Sequence, residues 1–214
     1  MTKPRHDLII DFETFGDNAQ KCAAVELSTF VFDWSRFGEN PYSYNEILNG
    51  VRKYKFDVKD QVENYNFVVQ KDSLEWWASL PKDIRKNAQP SPNDLSLKDF
   101  TEIFISDLYN GPKIEYWWSR NNTFDPTILW RIVWTQNAKF RMNEYLKHWR
   151  VRDIKTWIDA KFEFTTLNGF CPFEDEEYFN TLFKQHDSAH DVTADVLRLQ
   201  TIYRAERDME IVNK

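Results

Sequence analysis

The sequence predicts an α/β fold, a mixed sheet whose first three strands run antiparallel, flanked by helices. Three observations carry this. The N-terminal third reads as strands, because Leu8-Ile9-Ile10-Asp11-Phe12-Glu13-Thr14, Cys22 to Asp33 and Val51 to Val58 are β-rich runs with turn residues between them. From Ser73 the apolar spacing changes to that of helices. A further strand candidate, Lys113 to Ser119, then lies between helical segments, and strands followed by strands mixed with helices describe a sheet covered by helices.

Taken in order, the Gly16-Asp17-Asn18 segment gives the first two strands a hairpin-like connection. Arg36 to Asn49, holding Gly, Asn, Pro and Ser, reads as an irregular excursion before the third strand, in which Tyr54 and Phe56 share a face. Ser73 is a plausible helix cap, and that helix should stop near Pro81. A short helix over Lys82 to Asn87 and a loop over Gln89 to Asp94 follow. Ser96 then opens a helix to about Tyr109 with Leu97, Phe100, Phe104 and Leu108 on one face. Phe124 to about Gln136 reads as a helix, and Arg152 to Lys155 as a last strand. A final helix from about Asp187 to Asp208 carries the stripe Val192, Val196, Leu199 and Tyr203, with Arg204 and Arg207 late, as the helix dipole favours. No repeat, low-complexity tract or linker divides the chain, so residues 1–214 are expected to form one domain.

Composition narrows the function classes. The 214 residues suffice for a sizeable core, and 42% apolar with 29% charged residues is ordinary for a soluble globular protein. A net charge of −6 argues against a protein that coats nucleic acid through a broad basic surface, but not against a nucleic-acid enzyme whose acids are neutralised by metal. Cys22 and Cys171 have no metal-binding spacing and read as reduced thiols of a cytoplasmic protein. No apolar run approaches ~20 residues, so no membrane span is expected. The opening Met1 to Asp7 lacks the apolar core of a signal peptide. Nine Trp and seventeen Phe are an excess that a packed core and exposed stacking surfaces explain equally well.

The chemistry lies in three acidic clusters. Asp11 and Glu13 stand two apart on a strand, so both point one way while Phe12 points the other. Two adjacent carboxylates repel and lose hydration, and a hard divalent cation between them is the natural compensation. Asn121-Asn122-Thr123-Phe124-Asp125 and His186-Asp187-Ser188-Ala189-His190-Asp191 each sit at a helix start. Separated carboxylates converging on one site are the ligand set of a two-metal phosphoryl-transfer centre.

The order Asp-Phe-Glu-Thr, Asn-x-x-Phe-Asp, His-x-x-x-x-Asp resembles the DEDDh exonucleases, a superfamily with a ribonuclease-H-like fold. Ser-Leu-Glu-Trp-Trp and the His-Asp-Ser-x-His-Asp ending are similar to the exonuclease A group of T4-like bacteriophages. The resemblance spans nearly the whole chain. It implies that Asp11, Glu13, Asp125 and Asp191 bind two Mg2+ ions, which Mn2+ would replace, and that His186 is the general base. It further implies hydrolysis of the terminal phosphodiester from the 3′ end, releasing nucleoside 5′-monophosphates. One metal would acidify the attacking water and the other would stabilise the leaving 3′-oxygen.

The third motif has a second register, His190 with Asp195. The family has a small residue two after the histidine, which Ser188 supplies for His186 while His190 meets Val192, and this favours His186 with Asp191. His190 and Asp195 are then expected at the surface or behind the ligands. Thr14, Phe15, Trp76, Trp77 and Asn121 are candidate substrate contacts. Phe15 would wedge between terminal bases, and one of the adjacent Trp76 and Trp77 would stack on a base while the other packs. Asn121 would position substrate or simply make a turn. Trp117, Trp118, Trp130 and Trp134 are expected in the core. Lys71, Lys82, Arg85, Lys86 and Arg120 are candidate phosphate contacts, although a solvated face explains each as well.

The partner this implies is the 3′ end of single-stranded nucleic acid, with DNA favoured over RNA on the phage resemblance. An exoribonuclease of the same superfamily is the nearest alternative. A non-catalytic binding or docking module would be expected to have lost an acid or the histidine, and a proofreading role would require a polymerase partner. The location expected is the cytoplasm, the host's if the chain is phage-encoded.

Overall fold

The computed structural model describes residues 5–162, 169–171, 173 and 180–212, with side chains as far as residue 207. Five strands form one sheet in the order β3-β2-β1-β4-β5. They are β1 (His6–Thr14), β2 (Ala24–Asp33), β3 (Arg52–Lys55), β4 (Ile114–Ser119) and β5 (Val151–Asp153). The pairs β1–β2 and β2–β3 are antiparallel, while β4 lies parallel to both β1 and β5. The predicted mixed sheet with three antiparallel leading strands is therefore the one observed.

Alternation along β1 divides the molecule into two layers. Leu8, Ile10 and Phe12 face a core built with Leu97, Phe100 and Phe104 of α6 (Leu97–Asn110), Ile128 and Leu129 of α7 (Asp125–Thr135), and Met142 of α8 (Lys139–Tyr145). Ile9 faces the second core, with Ile154 and Ile158 of α9 (Ile154–Lys161) and Val192, Val196 and Leu199 of α10 (Ser188–Val212). Asp7, Asp11 and Glu13 share the parity of Ile9, so the first strand aims three carboxylates at the α10 side. Ser96 caps α6 by accepting the Asp99 N–H, as its sequence predicts. Among the described residues, no helix is long and apolar enough to cross a membrane.

Four local expectations are corrected. The excursion over residues 36–49 is two short helices, α1 (Arg36–Glu39) and α2 (Tyr44–Gly50), which bury Phe37, Tyr44 and Ile47 in the second core. The third strand ends at Lys55 because Asp57 caps an unforeseen helix, α3 (Val58–Tyr65), accepting the Asp60 N–H. Helix α4 (Lys71–Ser79) starts two residues before Ser73, since the Gln70 N–H is bonded to the Phe15 carbonyl and turns the chain there. The last strand ends at Asp153, whose carboxylate accepts the Thr156 N–H and starts α9. The short helix at residue 82 is α5 (Lys82–Arg85), continued by a 3-10 turn over Lys86–Ala88.

The tryptophans divide differently from expectation. Trp117 and Trp118 are buried and Trp130 is half-buried, but Trp134 is 60% exposed under the Lys139 ammonium, at 4.4 Å. One turn along α7 is enough to carry the stripe past the edge of the core.

Candidate active site

One strand and two helix starts supply the acids, which gather at the C-terminal end of β1. Ligand oxygens of Asp11, Glu13 and Asp191 lie within 4.8 Å of one another. At an effective dielectric near 20, each such pair of like charges costs roughly 3 kcal/mol or more. The chain answers this by holding on to protons. Burial, followed by Asp125, Asp191 and Glu13, pushes the Asp11 carboxyl well above its ordinary range. Burial, then Asp191 and Glu26, does the same to Glu13. Asp191 rises to about 7, chiefly through burial and then Asp195.

Asp125 is the fourth acid, in the first turn of α7 behind the Phe124 cap and ahead of Pro126. One of its oxygens accepts the Phe12 N–H at 2.9 Å, which ties the helix start to the strand between Asp11 and Glu13. Burial outweighs that bond and lifts Asp125 to about 7. The acids crowd together, mostly buried and rich in oxygen donors. That arrangement fits a divalent cation, and Asp11, Glu13, Asp191 and Asp125 are the groups to hold it.

The two registers of the third motif occupy different surroundings. His186 stands just before α10 in a left-handed conformation (φ 66°), half-buried, with its ring edge-on to Trp76 at 4.7 Å. Burial holds its imidazole below the ordinary range, so it is unprotonated at neutral pH. His190 is buried within α10 and its Nδ1 is bonded to the Tyr44 hydroxyl. Asp195 is consumed by cations: both carboxylate oxygens engage the Arg120 guanidinium, and Arg198 Nη1 donates to it at 2.8 Å. Neither residue is at the surface. The ion pair also corrects the expectation for Arg120, which lies against Phe170 and donates to the Gly169 carbonyl and Asp195 instead of reaching into solvent.

The candidate substrate residues separate into exposed and packed. Trp77 is buried, and its Nε1 donates to the Thr14 carbonyl at 3.0 Å. Phe15 is buried against it, with ring centroids 6.1 Å apart, and so does not project as a wedge. The Thr14 hydroxyl donates to the Gly16 carbonyl. Trp76 remains 39% exposed beside His186. Asn121 uses Oδ1 to accept from the N–H and hydroxyl of Thr123, the turn reading of that residue.

Sequence reasoning passed over Glu26, Lys53 and Asp7. Glu26 stands opposite Glu13 across the β1–β2 pair, on the same face, and a lone glutamate inside an apolar strand was the signal for it. Lys53 Nζ bridges Glu26 at 2.9 Å and Asp187 at 3.1 Å. Asp7, at the far end of the same face, is fully buried and structural. It accepts from Arg5 Nε and Nη2, from the indole N–H groups of Trp34 and Trp118, and from the Tyr116 N–H.

Comparison with known proteins agrees with this geometry. An exodeoxyribonuclease of Enterobacteria phage T4 is 32% identical over 223 residues, spanning 95% of this chain and 92% of the relative. The fold is that of exonuclease I of E. coli. Its zinc-bound complex with single-stranded DNA superposes with a TM-score of 0.62 at 15% identity, and its complex with a dT13 oligonucleotide with 0.61 at 16%. The two matches cover 98% and 97% of this chain but 43% of exonuclease I, so the chain spans less than half of that enzyme. The profile described as the 3′-5′ exoribonuclease Rv2179c-like domain matches residues 6–197, and the chain belongs to that exonuclease family.

Proposed function

We propose that residues 1–214 act as one exonuclease domain that removes nucleotides from the 3′ end of single-stranded DNA, with His186 as general base. The observation that carries this is the convergence of Asp11, Glu13 and Asp191 within 4.8 Å, with Asp125 tied to the same strand and His186 at the adjoining helix start. The acids would hold two Mg2+ ions, or Mn2+ in their place, which supply acidification of the attacking water and charge stabilisation at the leaving oxygen. His186 accepts the proton of that water at an imidazole nitrogen kept free by burial. Trp76 offers its exposed face to the terminal base, a contact indifferent to sequence. The place of action that fits is the cytoplasm, the host's where the gene is carried by a phage.

DNA is preferred because the phage relative, called an exodeoxyribonuclease, aligns over nearly the full length of both chains. The family description, which names an exoribonuclease, favours the second reading. The test is product analysis on 5′-labelled single-stranded DNA and RNA of one sequence, with Mg2+ and with EDTA. A ladder that shortens one nucleotide at a time and vanishes in EDTA is expected, faster on DNA. Faster loss of RNA assigns the chain to exoribonucleases, and no ladder on either strand refutes the enzyme reading.

A further inference from the structure

The start of α10 is gripped from outside the acid cluster. Asp187 caps the helix: its carboxylate accepts the Ala189 N–H at 3.1 Å and its carbonyl accepts from the His190 and Asp191 N–H groups. Two side chains from elsewhere hold that carboxylate. Lys53 Nζ donates to Oδ1 at 3.1 Å from the β3 edge strand, and Asn87 Nδ2 donates to Oδ2 at 3.1 Å from the turn after α5. Lys53 simultaneously binds Glu26, which receives the Ser188 hydroxyl at 2.6 Å, and Ser188 in turn bonds Ser28 at 2.7 Å. Burial alone would lower the Lys53 ammonium, yet Glu26 and Asp187 outweigh it and keep it charged. The residue before this cap, His186, sits in a left-handed conformation (φ 66°) that a non-glycine residue adopts at a cost and keeps only where the surroundings impose it.

We propose that Lys53, by clamping Glu26 and Asp187 together, is a positioning residue that fixes the His186 imidazole for its work as base. This rests on the assignment of His186 as the base, and the experiment separates the two claims.

The measurement is steady-state cleavage of single-stranded DNA by the full-length protein with Mg2+, using wild type, K53M, K53R, H186A and the double variant K53M/H186A. K53M is expected to lower kcat about 10- to 100-fold with KM nearly unchanged, the usual cost of removing a residue that orients a catalytic group. K53R, which keeps the cation, should recover most of that loss. The double variant should be no slower than H186A alone, because a residue acting only through His186 has nothing left to position. Mn2+ affinity of K53M, followed by titration, should match wild type. Full activity in H186A overturns the base assignment. A large loss in H186A with none in K53M overturns the clamp, as does multiplication of the two losses or weakened Mn2+ binding. If K53M does not fold, N87A carries the same test through Asp187, with a smaller loss expected in the same pattern.

Discussion

Removing metal and then raising the pH should destabilise this protein progressively, and substituting Asp191 by Asn should relieve much of that. In the folded chain Asp125 and Asp191 climb from 3.8 to about 7. At about 1.4 kcal/mol per pH unit, one such group contributes roughly 4 kcal/mol. The sign follows from proton counting. Between those two values the folded state binds more protons than the unfolded one. The stabilisation is therefore complete below about pH 4 and is lost as pH rises through about 7. The acids titrate together, so the contributions of Asp125 and Asp191 are not summed. His186 and His190, both held low by burial, gain stability with pH over part of the same window, and a comparison of two variants cancels them. The assay is urea unfolding in EDTA from about pH 4 to 8, for wild type and Asp191→Asn. Wild type should lose up to roughly 4 kcal/mol more than the variant across the window, a large part of the 5–15 kcal/mol of a typical domain. Mg2+ at pH 8 should restore the wild type and do much less for the variant. Superimposable wild-type and Asp191→Asn profiles in EDTA would refute the reasoning.

The other expectations concern single side chains. Asp11→Asn should abolish cleavage while leaving single-stranded DNA binding largely intact, measured by anisotropy beside the ladder assay. His186→Ala should cost several orders of magnitude in kcat with an unchanged melting temperature, whereas His190→Ala, which removes a buried ring and its bond to the Tyr44 hydroxyl, should chiefly lower the melting temperature. The reverse ranking in kcat would assign the third motif to the His190 register. Trp76→Ala should raise KM for single strands without lowering stability, while Trp77→Ala should cost about 3–5 kcal/mol in urea unfolding, because it empties a buried site. Asp7→Ala should cost a similar 3–5 kcal/mol by leaving two indole N–H groups and the Arg5 guanidinium without their shared acceptor.

Much of the scaffold is local and therefore legible in the chain. Alternation along β1 sends Leu8, Ile10 and Phe12 one way and Asp11 and Glu13 the other, as period two requires. Ser96 and the stripe from Leu97 to Leu108 define α6 from its cap onward, and Asp125 lies in a first helical turn because Pro126 suits that position. The three acidic motifs, in order, were enough to indicate the family. Less legible were segments whose shape depends on a distant partner. Helices α1 and α2 bury Phe37, Tyr44 and Ile47 in the second core; Ser43, which accepts the Glu46 N–H, is a local start signal for α2 that the surrounding glycine and proline obscured.

The sequence by itself determined the antiparallel run of its leading strands, the chemistry of the carboxylate set and the pair of histidines between which a base must be chosen. Only the tertiary structure decided that Asp191 joins Asp11 and Glu13 while Asp195 is taken by Arg120 and Arg198. It also decided that Trp76 meets solvent while Trp77 packs on Phe15, and that Lys53 reaches from an edge strand to the cap of the last helix. The physical reason is one of range. Side-chain alternation, caps and turn chemistry act over a few residues and are written locally. The partner of a charge and the exposure of an aromatic ring depend on elements brought together from distant parts of the chain.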